Sequence, residues 1–133
     1  MTPFQQLQRL LDRAYAPYSG FHVASLVVDE EGRVWEGVNV ESASYGLTLC
    51  AERAAIFGAV ARGMRPGSVR EVHILARDAS GRCRAATPCG ACRQVIHEQS
   101  QGRAVVVVHH DAERSERHPI AGLLPGAFSL EAT

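Results

Sequence analysis

The sequence predicts an α/β domain in which a sheet carries helices on its faces. Segments with apolar residues at helical spacing alternate with short runs of β-forming residues. Their order is α-β-β-α-β-α-β, with a possible last strand. The chain has 133 residues, the length of one domain, and 46% of them are hydrophobic, which is enough for a core. We therefore predict one α/β domain over residues 1–133.

The first three elements are predicted to be a helix and a β-hairpin. The apolar residues of the first segment recur at helical spacing, and they are Phe4, Leu7, Leu10, Leu11 and Ala14. Thr2 can cap this helix, and Pro3 suits its first position. Residues 21–28 and 33–40 are rich in β-forming residues and flank a polar turn, which favours a hairpin.

The rest of the chain alternates helices with strands. Gly63 is a plausible helix end, and Pro88 suits a helix start. Residues 104–108 are all apolar, which is typical of a strand buried on both faces. The next segments are predicted to be a helix (50–62), a strand (69–76), a loop (78–87) and a helix (89–99). They are followed by a buried strand (104–108), an edge strand (115–119) and a turn (120–124).

Charge and composition exclude several functions. The 14 basic residues are all arginine and balance 14 acidic residues, so the net charge is zero. A chain without lysine has no P-loop and forms no lysine Schiff base. Zero net charge argues against generic binding to nucleic acid or to membrane surfaces. We see no targeting or membrane segment in this sequence and expect a cytoplasmic protein.

The cysteines indicate a metal site. Cys89 and Cys92 form a Cys-x-x-Cys pair at a predicted helix start, where free N–H groups favour thiolates. Cys50 begins the other central helix, so the two helix starts can converge on one zinc ion. Three thiolates leave a fourth position open, as in catalytic zinc sites. Cys83 is a possible fourth ligand, which would make the site a closed, structural zinc module.

Charged residues beside these cysteines point to catalysis. Glu52 lies two residues after Cys50 and is placed to act as a general acid/base on a zinc-bound water. It could also be a favourable charge at a helix N-terminus. Arg53 is expected to donate a hydrogen bond to a thiolate from outside the ligand set. Arg93 follows Cys92 and is either a similar donor or a solvated residue.

Several segments together resemble one enzyme family. Cys50-Ala51-Glu52 and Pro88-Cys89-Gly90-Ala91-Cys92 are similar to the zinc-deaminase signature. The further segments 18–21, 37–53 and 123–128 resemble the small homotetrameric cytidine deaminases, and the resemblance spans residues 7–128. It implies a three-layer fold with a mixed sheet of about five strands. It also implies hydrolytic deamination of cytidine and deoxycytidine in pyrimidine salvage, with one zinc ion per subunit.

The resemblance also assigns roles to single residues. It implies that Cys50, Cys89 and Cys92 bind zinc and that zinc hydroxide attacks C4 of the pyrimidine. Glu52 would carry the proton from the water to N3 and then to the leaving amine. The base would be held by packing on Phe21 and by a hydrogen bond from the backbone N–H of Ala51 to O2. The pair that would bind the ribose 3′-hydroxyl is Asn39 and Glu41.

The resemblance further implies a homotetramer whose sites are completed by neighbouring subunits. Phe128 would reach into a neighbour's site, and Tyr45 would lie near subunit contacts. The only small-molecule partner implied is the nucleoside, with no nucleic acid and no membrane.

Other readings remain open at this stage. Ala24 and Ser25 depart from the family's usual glycine and alanine, which could shift the pocket wall near the sugar. They are also similar to deaminases of blasticidin S, a modified cytosine nucleoside. A nucleic-acid deaminase is disfavoured, because the arginine-rich stretch of this chain contains no aromatic residues on which bases could stack. The sequence does not rank cytidine against deoxycytidine.

Overall fold

The computed structural model, which describes residues 1–130, consists of a mixed sheet with helices on both faces. The strands that it describes are β1 (His22–Asp29), β2 (Val34–Val38), β3 (Val69–Arg77), β4 (Cys83–Arg84), β5 (Val105–His109) and β6 (Ser115–Pro119). The helices are α1 (Pro3–Leu11), α2 (Ala51–Ala61), α3 (Gly90–Ser100) and α4 (Ile120–Leu123), and a 3-10 turn covers Tyr45–Leu47.

The sheet runs in the order β2-β1-β3-β5-β6, and the two-residue β4 pairs with the end of β3. Only β3 and β5 pair in parallel among these strands, and α3 lies on the crossover between them. The sheet is therefore mixed, as predicted. β4 is an addition inside the stretch that the sequence predicts to be a loop, and the other boundaries differ from the prediction by a few residues at most.

Two hydrophobic cores make the molecule three-layered. On one face of the sheet, the apolar side of α1 packs against Ala24, Leu26 and Leu75. On the other face, α2 and α3 cover a larger core of Val, Ile and Ala side chains, among them Ile56 and Ile96. No helix within residues 1–130 is long and apolar enough to cross a membrane.

The layer of α2 and α3 positions the site. Cys50 is the N-cap of α2 and Cys89 is the N-cap of α3, and both residues have extended backbones. The helices α2 and α3 also contact each other. Their N-termini can thus bring together groups that lie 39 residues apart in sequence.

Candidate metal centre and active site

Three thiols meet where α2 and α3 begin. The Sγ atoms of Cys50, Cys89 and Cys92 all lie within 4.8 Å of one another, and those of Cys50 and Cys89 are 3.6 Å apart. Cys92 is completely buried in the first turn of α3, whereas Cys89 is exposed. The Cys-x-x-Cys spacing places the two thiols of α3 on one side of its first turn, facing the start of α2.

The spacing of the thiols fits a zinc ion. Zinc–sulfur bonds of about 2.3 Å in tetrahedral geometry hold two sulfurs about 3.8 Å apart. The cluster is the only group of three or more potential ligands of this compactness among residues 1–130. Cys83 lies on β4, is exposed, and is not part of it. A closed site with four cysteine ligands is therefore not formed.

Glu52 lies in the first turn of α2 and is 4% exposed. Burial raises the pKa of this carboxyl to about 7, and the negative charge of Cys50 adds to the effect. A carboxyl with a pKa near neutrality can both accept and donate a proton at physiological pH. The position beside the thiols therefore suits proton transfer.

Arg53 contacts the cluster as the sequence predicts. Its guanidinium donates a hydrogen bond from Nη2 to Cys50 Sγ over 3.3 Å. The hydrogen bonds from the Cys92 thiol and from Arg53 lower the pKa of Cys50 to about 5, although burial opposes the shift. These contacts favour the thiolate form of Cys50, which is the form that binds metal ions.

A pocket of about 210 Å³ opens beside the thiols. Four predicted site residues besides the cysteines line it, namely Phe21, Asn39, Ala51 and Glu52. Val23, Thr48, Ile74, Ala86 and Thr87 complete the lining together with Cys50 and Cys89. A wider depression of about 620 Å³ runs along the outer side of α1, but its lining residues include no thiol. The smaller pocket is therefore the candidate active site.

Asn39 and Glu41 flank the pocket from an extended segment that follows β2. Asn39 is buried, and its amide bonds to the backbone of Phe21 and Val23. Glu41 does not line the pocket but accepts hydrogen bonds from the turn before β1. Both side chains thus help to hold the β1 start, a role that the sequence did not predict.

Like Glu41, two further predicted substrate-binding residues lie outside this pocket. Tyr45 is 76% exposed and makes an edge-to-face contact with Tyr18 at 6.4 Å. Phe128 is 64% exposed, and its carbonyl accepts a hydrogen bond from Gln94 in the middle of α3. Neither residue is part of the pocket of its own chain.

Ala24, whose effect on the pocket the sequence left open, is not a lining residue of the pocket. Successive residues of a strand face opposite sides of the sheet, so Ala24 faces α1 while Val23 faces the pocket. Ser25 is completely buried but is not a lining residue. Neither of the two positions therefore contributes a side chain to the lining of the pocket.

Arg93 has a role that the sequence left open. It does not contact a thiol within hydrogen-bonding distance; its guanidinium donates to Pro88 O, Leu123 O and Thr87 Oγ1 over 2.7, 2.8 and 3.2 Å. It therefore ties the segment before Cys89 to the C-terminal region. Arg93 lies five residues after Pro88, and no motif in the sequence indicated this contact.

Comparison with known proteins places these features in context. Residues 2–109 match the family model described as the cytidine and deoxycytidylate deaminase zinc-binding region. The chain is 42% identical over 120 residues to a cytidine deaminase of Sporosarcina psychrophila, covering 90% of this chain and 84% of the relative. It is 41% identical over 118 residues to that of Halalkalibacterium halodurans, with 89% and 85% coverage.

The fold is similar to solved structures as well. A crystal structure of cytidine deaminase from Burkholderia pseudomallei superposes with a TM-score of 0.84 at 38% identity, covering 96% of this chain and all of the other. A crystal structure of cytidine deaminase from Mycobacterium tuberculosis gives a TM-score of 0.72 at 34% identity, with 98% and 100% coverage.

Proposed function

The chain belongs to the cytidine and deoxycytidylate deaminase family. We propose that it deaminates cytidine and deoxycytidine in the pocket beside the three thiols. One observation carries the proposal. Three thiols spaced for zinc form one cluster, and two of them, Cys50 and Cys89, line a pocket together with Glu52, a buried carboxyl with a raised pKa. A structural zinc module would need a fourth ligand and would have no use for that carboxyl.

The thiols of Cys50, Cys89 and Cys92 would hold one zinc ion in each chain. When bound, zinc supplies a Lewis acid that makes a water molecule more acidic. Three thiolates donate much negative charge, and this weakens that effect. The hydrogen bond from Arg53 to Cys50 Sγ withdraws part of the charge, which keeps the site suited to catalysis.

Glu52 would carry two protons in turn. Its carboxylate accepts a proton from the attacking water and delivers it to N3 of the pyrimidine. It then takes the remaining proton of the new C4 hydroxyl and gives it to the amine, so ammonia leaves and C4 becomes a carbonyl. Each transfer needs a group with a pKa near 7, which burial supplies for Glu52.

The pocket would hold the nucleoside through the residues that line it. Phe21 directly precedes β1 and would pack against the base. Ala51 is the first residue of α2, where N–H groups have no acceptor within the helix, so its N–H can bind O2 of the base. Asn39 would bind the sugar together with Glu41.

Neighbouring subunits would complete each site in a homotetramer. Phe128 is exposed and is anchored to the middle of α3, away from the Cys89 end of the same helix, so it is placed to serve another chain. Phe57 and Val60 on α2 are exposed as well, and so are Tyr45 and Leu47. Exposed apolar side chains of this kind favour an interface between copies. Light scattering measures the oligomeric state, and a monomer that deaminates cytidine would contradict the proposed homotetramer.

We also place the enzyme in the cytoplasm. All four cysteines are free, and a site made of three thiolates persists where thiols stay reduced. Several arginines of the arginine-rich stretch form ion pairs in the structure. Arg65 and Arg70 bind Glu30, and Arg77 binds Asp12, which speaks against a track for nucleic acid.

The decisive experiment follows cytidine and deoxycytidine conversion by ultraviolet absorbance with zinc-loaded protein. We expect turnover of both nucleosides, and a loss of at least about a hundredfold in kcat for Glu52→Gln with zinc retained. The variant keeps the shape of the side chain and removes the proton acceptor. A folded, zinc-loaded wild type without turnover of either nucleoside would contradict the proposal.

A further inference from the structure

Ser19 lies at the centre of a hydrogen-bond chain in the turn before β1. Its hydroxyl donates to Glu41 Oε2 and accepts the backbone N–H of Phe21 over 2.9 Å. One side chain thereby joins two of the proposed substrate-binding residues. Ser19 lies in the family-like segment 18–21, but the resemblance assigned no role to it.

The carboxylate of Glu41 has one acceptor position left. Oε1 accepts the N–H groups of Tyr18 and Ser19 over 3.0 and 3.2 Å, which occupies both of its lone pairs. Oε2 accepts the Ser19 hydroxyl and keeps one lone pair. The direction of that lone pair depends on the hydroxyl of Ser19.

The amide of Asn39 has one donor left. Its Oδ1 accepts the N–H of Val23 and its Nδ2 donates to Phe21 O, each over 2.8 Å. One N–H of Nδ2 therefore stays available. A hydroxyl group can accept one hydrogen bond and donate another. The free N–H of Asn39 and the free lone pair of Glu41 therefore suit a single hydroxyl.

We propose that Ser19 is a positioning residue for the sugar 3′-hydroxyl, because it fixes which lone pair of Glu41 is free to accept it. This inference rests on the proposed function and deepens it. Without the Ser19 hydroxyl, Glu41 Oε2 gains a second free lone pair and can turn toward water, while Oε1 remains held by the backbone. The carboxylate stays in place but no longer has a fixed orientation.

A substrate without the 3′-hydroxyl separates this role from a structural one. We compare kcat/KM for cytidine and for 3′-deoxycytidine in the wild type, Ser19→Ala and Ser19→Thr. Ser19→Ala is expected to lower kcat/KM about tenfold more for cytidine than for 3′-deoxycytidine, the usual effect of one hydrogen bond to a charged group. The lost acceptor for the Phe21 N–H affects both substrates alike. Ser19→Thr keeps the hydroxyl and is expected to restore the cytidine value.

Controls make each outcome decisive. Ser115→Ala changes an exposed serine on β6 and is expected to behave as wild type with both substrates. An equal loss on both substrates in Ser19→Ala, or no loss on either, would overturn the inference. So would a wild type that converts both substrates equally well. A wild type that converts neither substrate is a failure of the proposed function itself.

Discussion

Gly37 on β2 lies directly against the backbone of Ala51, the first residue of α2. A methyl group at position 37 would lie 2.4 Å from the carbonyl oxygen of Ala51 and 2.5 Å from the nitrogen of Ala55. Only a residue without a side chain allows this approach. The contact sets how closely the start of α2, with Glu52 and Cys50 beside it, lies on the sheet.

Gly37→Ala is expected to destabilise the protein by about 3 kcal/mol, because the obstacle is backbone and cannot rotate away. We also expect weaker zinc retention, since α2 must move to make room. Chemical unfolding and zinc content measure the two effects. Gly122→Ala is the matched control, because nothing lies within 4 Å of the added methyl group there, and its stability should match or slightly exceed wild type.

The sequence correctly predicted that Cys50, Cys89 and Cys92 meet, because each motif is local. Cys50 and Cys89 are helix N-caps, and the residues that define a helix start are neighbours in the chain. The side of the sheet that Ala24 faces follows from the alternation of β1, which the motif alone does not show. The roles of Ser19 and Arg93 were not predicted, because no motif links them to their partners Glu41 and Leu123, which lie 22 and 30 residues away.

Replacing Cys83 and Cys89 in turn tests whether the site has three or four ligands. Cys83→Ser is expected to keep zinc and to retain activity within about twofold, because this exposed thiol lies outside the cluster. Cys89→Ser is expected to lose both zinc and activity. Zinc analysis of the purified variants provides the measurement. Loss of zinc from Cys83→Ser would instead support a closed structural site.

Arg53→Gln is expected to lower kcat by about tenfold to a hundredfold, since it removes a charged donor to Cys50 Sγ. The more basic thiolate then donates more charge to zinc, and the water becomes less acidic. Arg53→Lys retains a positive charge, and its kcat is expected to lie between those of the wild type and Arg53→Gln. Steady-state kinetics at matched zinc content show this, and a kcat equal to wild type in Arg53→Gln would refute it.

His109 is expected to make stability depend on pH. Burial and then the charge of His73 lower the pKa of His109 to about 4, and the rings bond through His73 Nδ1 and His109 Nε2 at 2.9 Å. Glu71 accepts from His73 on the far side, and the ring of Phe4 packs against His109. The folded protein therefore keeps His109 neutral at pH values where the unfolded chain is protonated.

Between about pH 6.5 and 4 the unfolded state binds the extra proton, so the free energy of unfolding falls as the pH falls through this window. The expected loss is about 2 kcal/mol between pH 7.5 and 5.0. His109→Gln should remove this part of the pH dependence. Urea unfolding of both proteins at the two pH values measures it, and identical losses in the variant and the wild type would rule it out.

Mixed tetramers test whether Phe128 acts in a neighbouring subunit. Phe128→Ala and Glu52→Gln are each expected to impair the enzyme strongly when pure. In a random mixture, a chain with intact Glu52 meets a neighbour with intact Phe128 in about a quarter of the sites, so about a quarter of wild-type activity should return. Co-expression with two different affinity tags isolates the mixed assemblies.

Glu52→Gln combined with Cys89→Ser is the control and should stay inactive if each metal centre belongs to a single chain, as the geometry of the thiols requires. If Phe128 served its own chain, every site would carry one of the two defects and mixing would restore nothing.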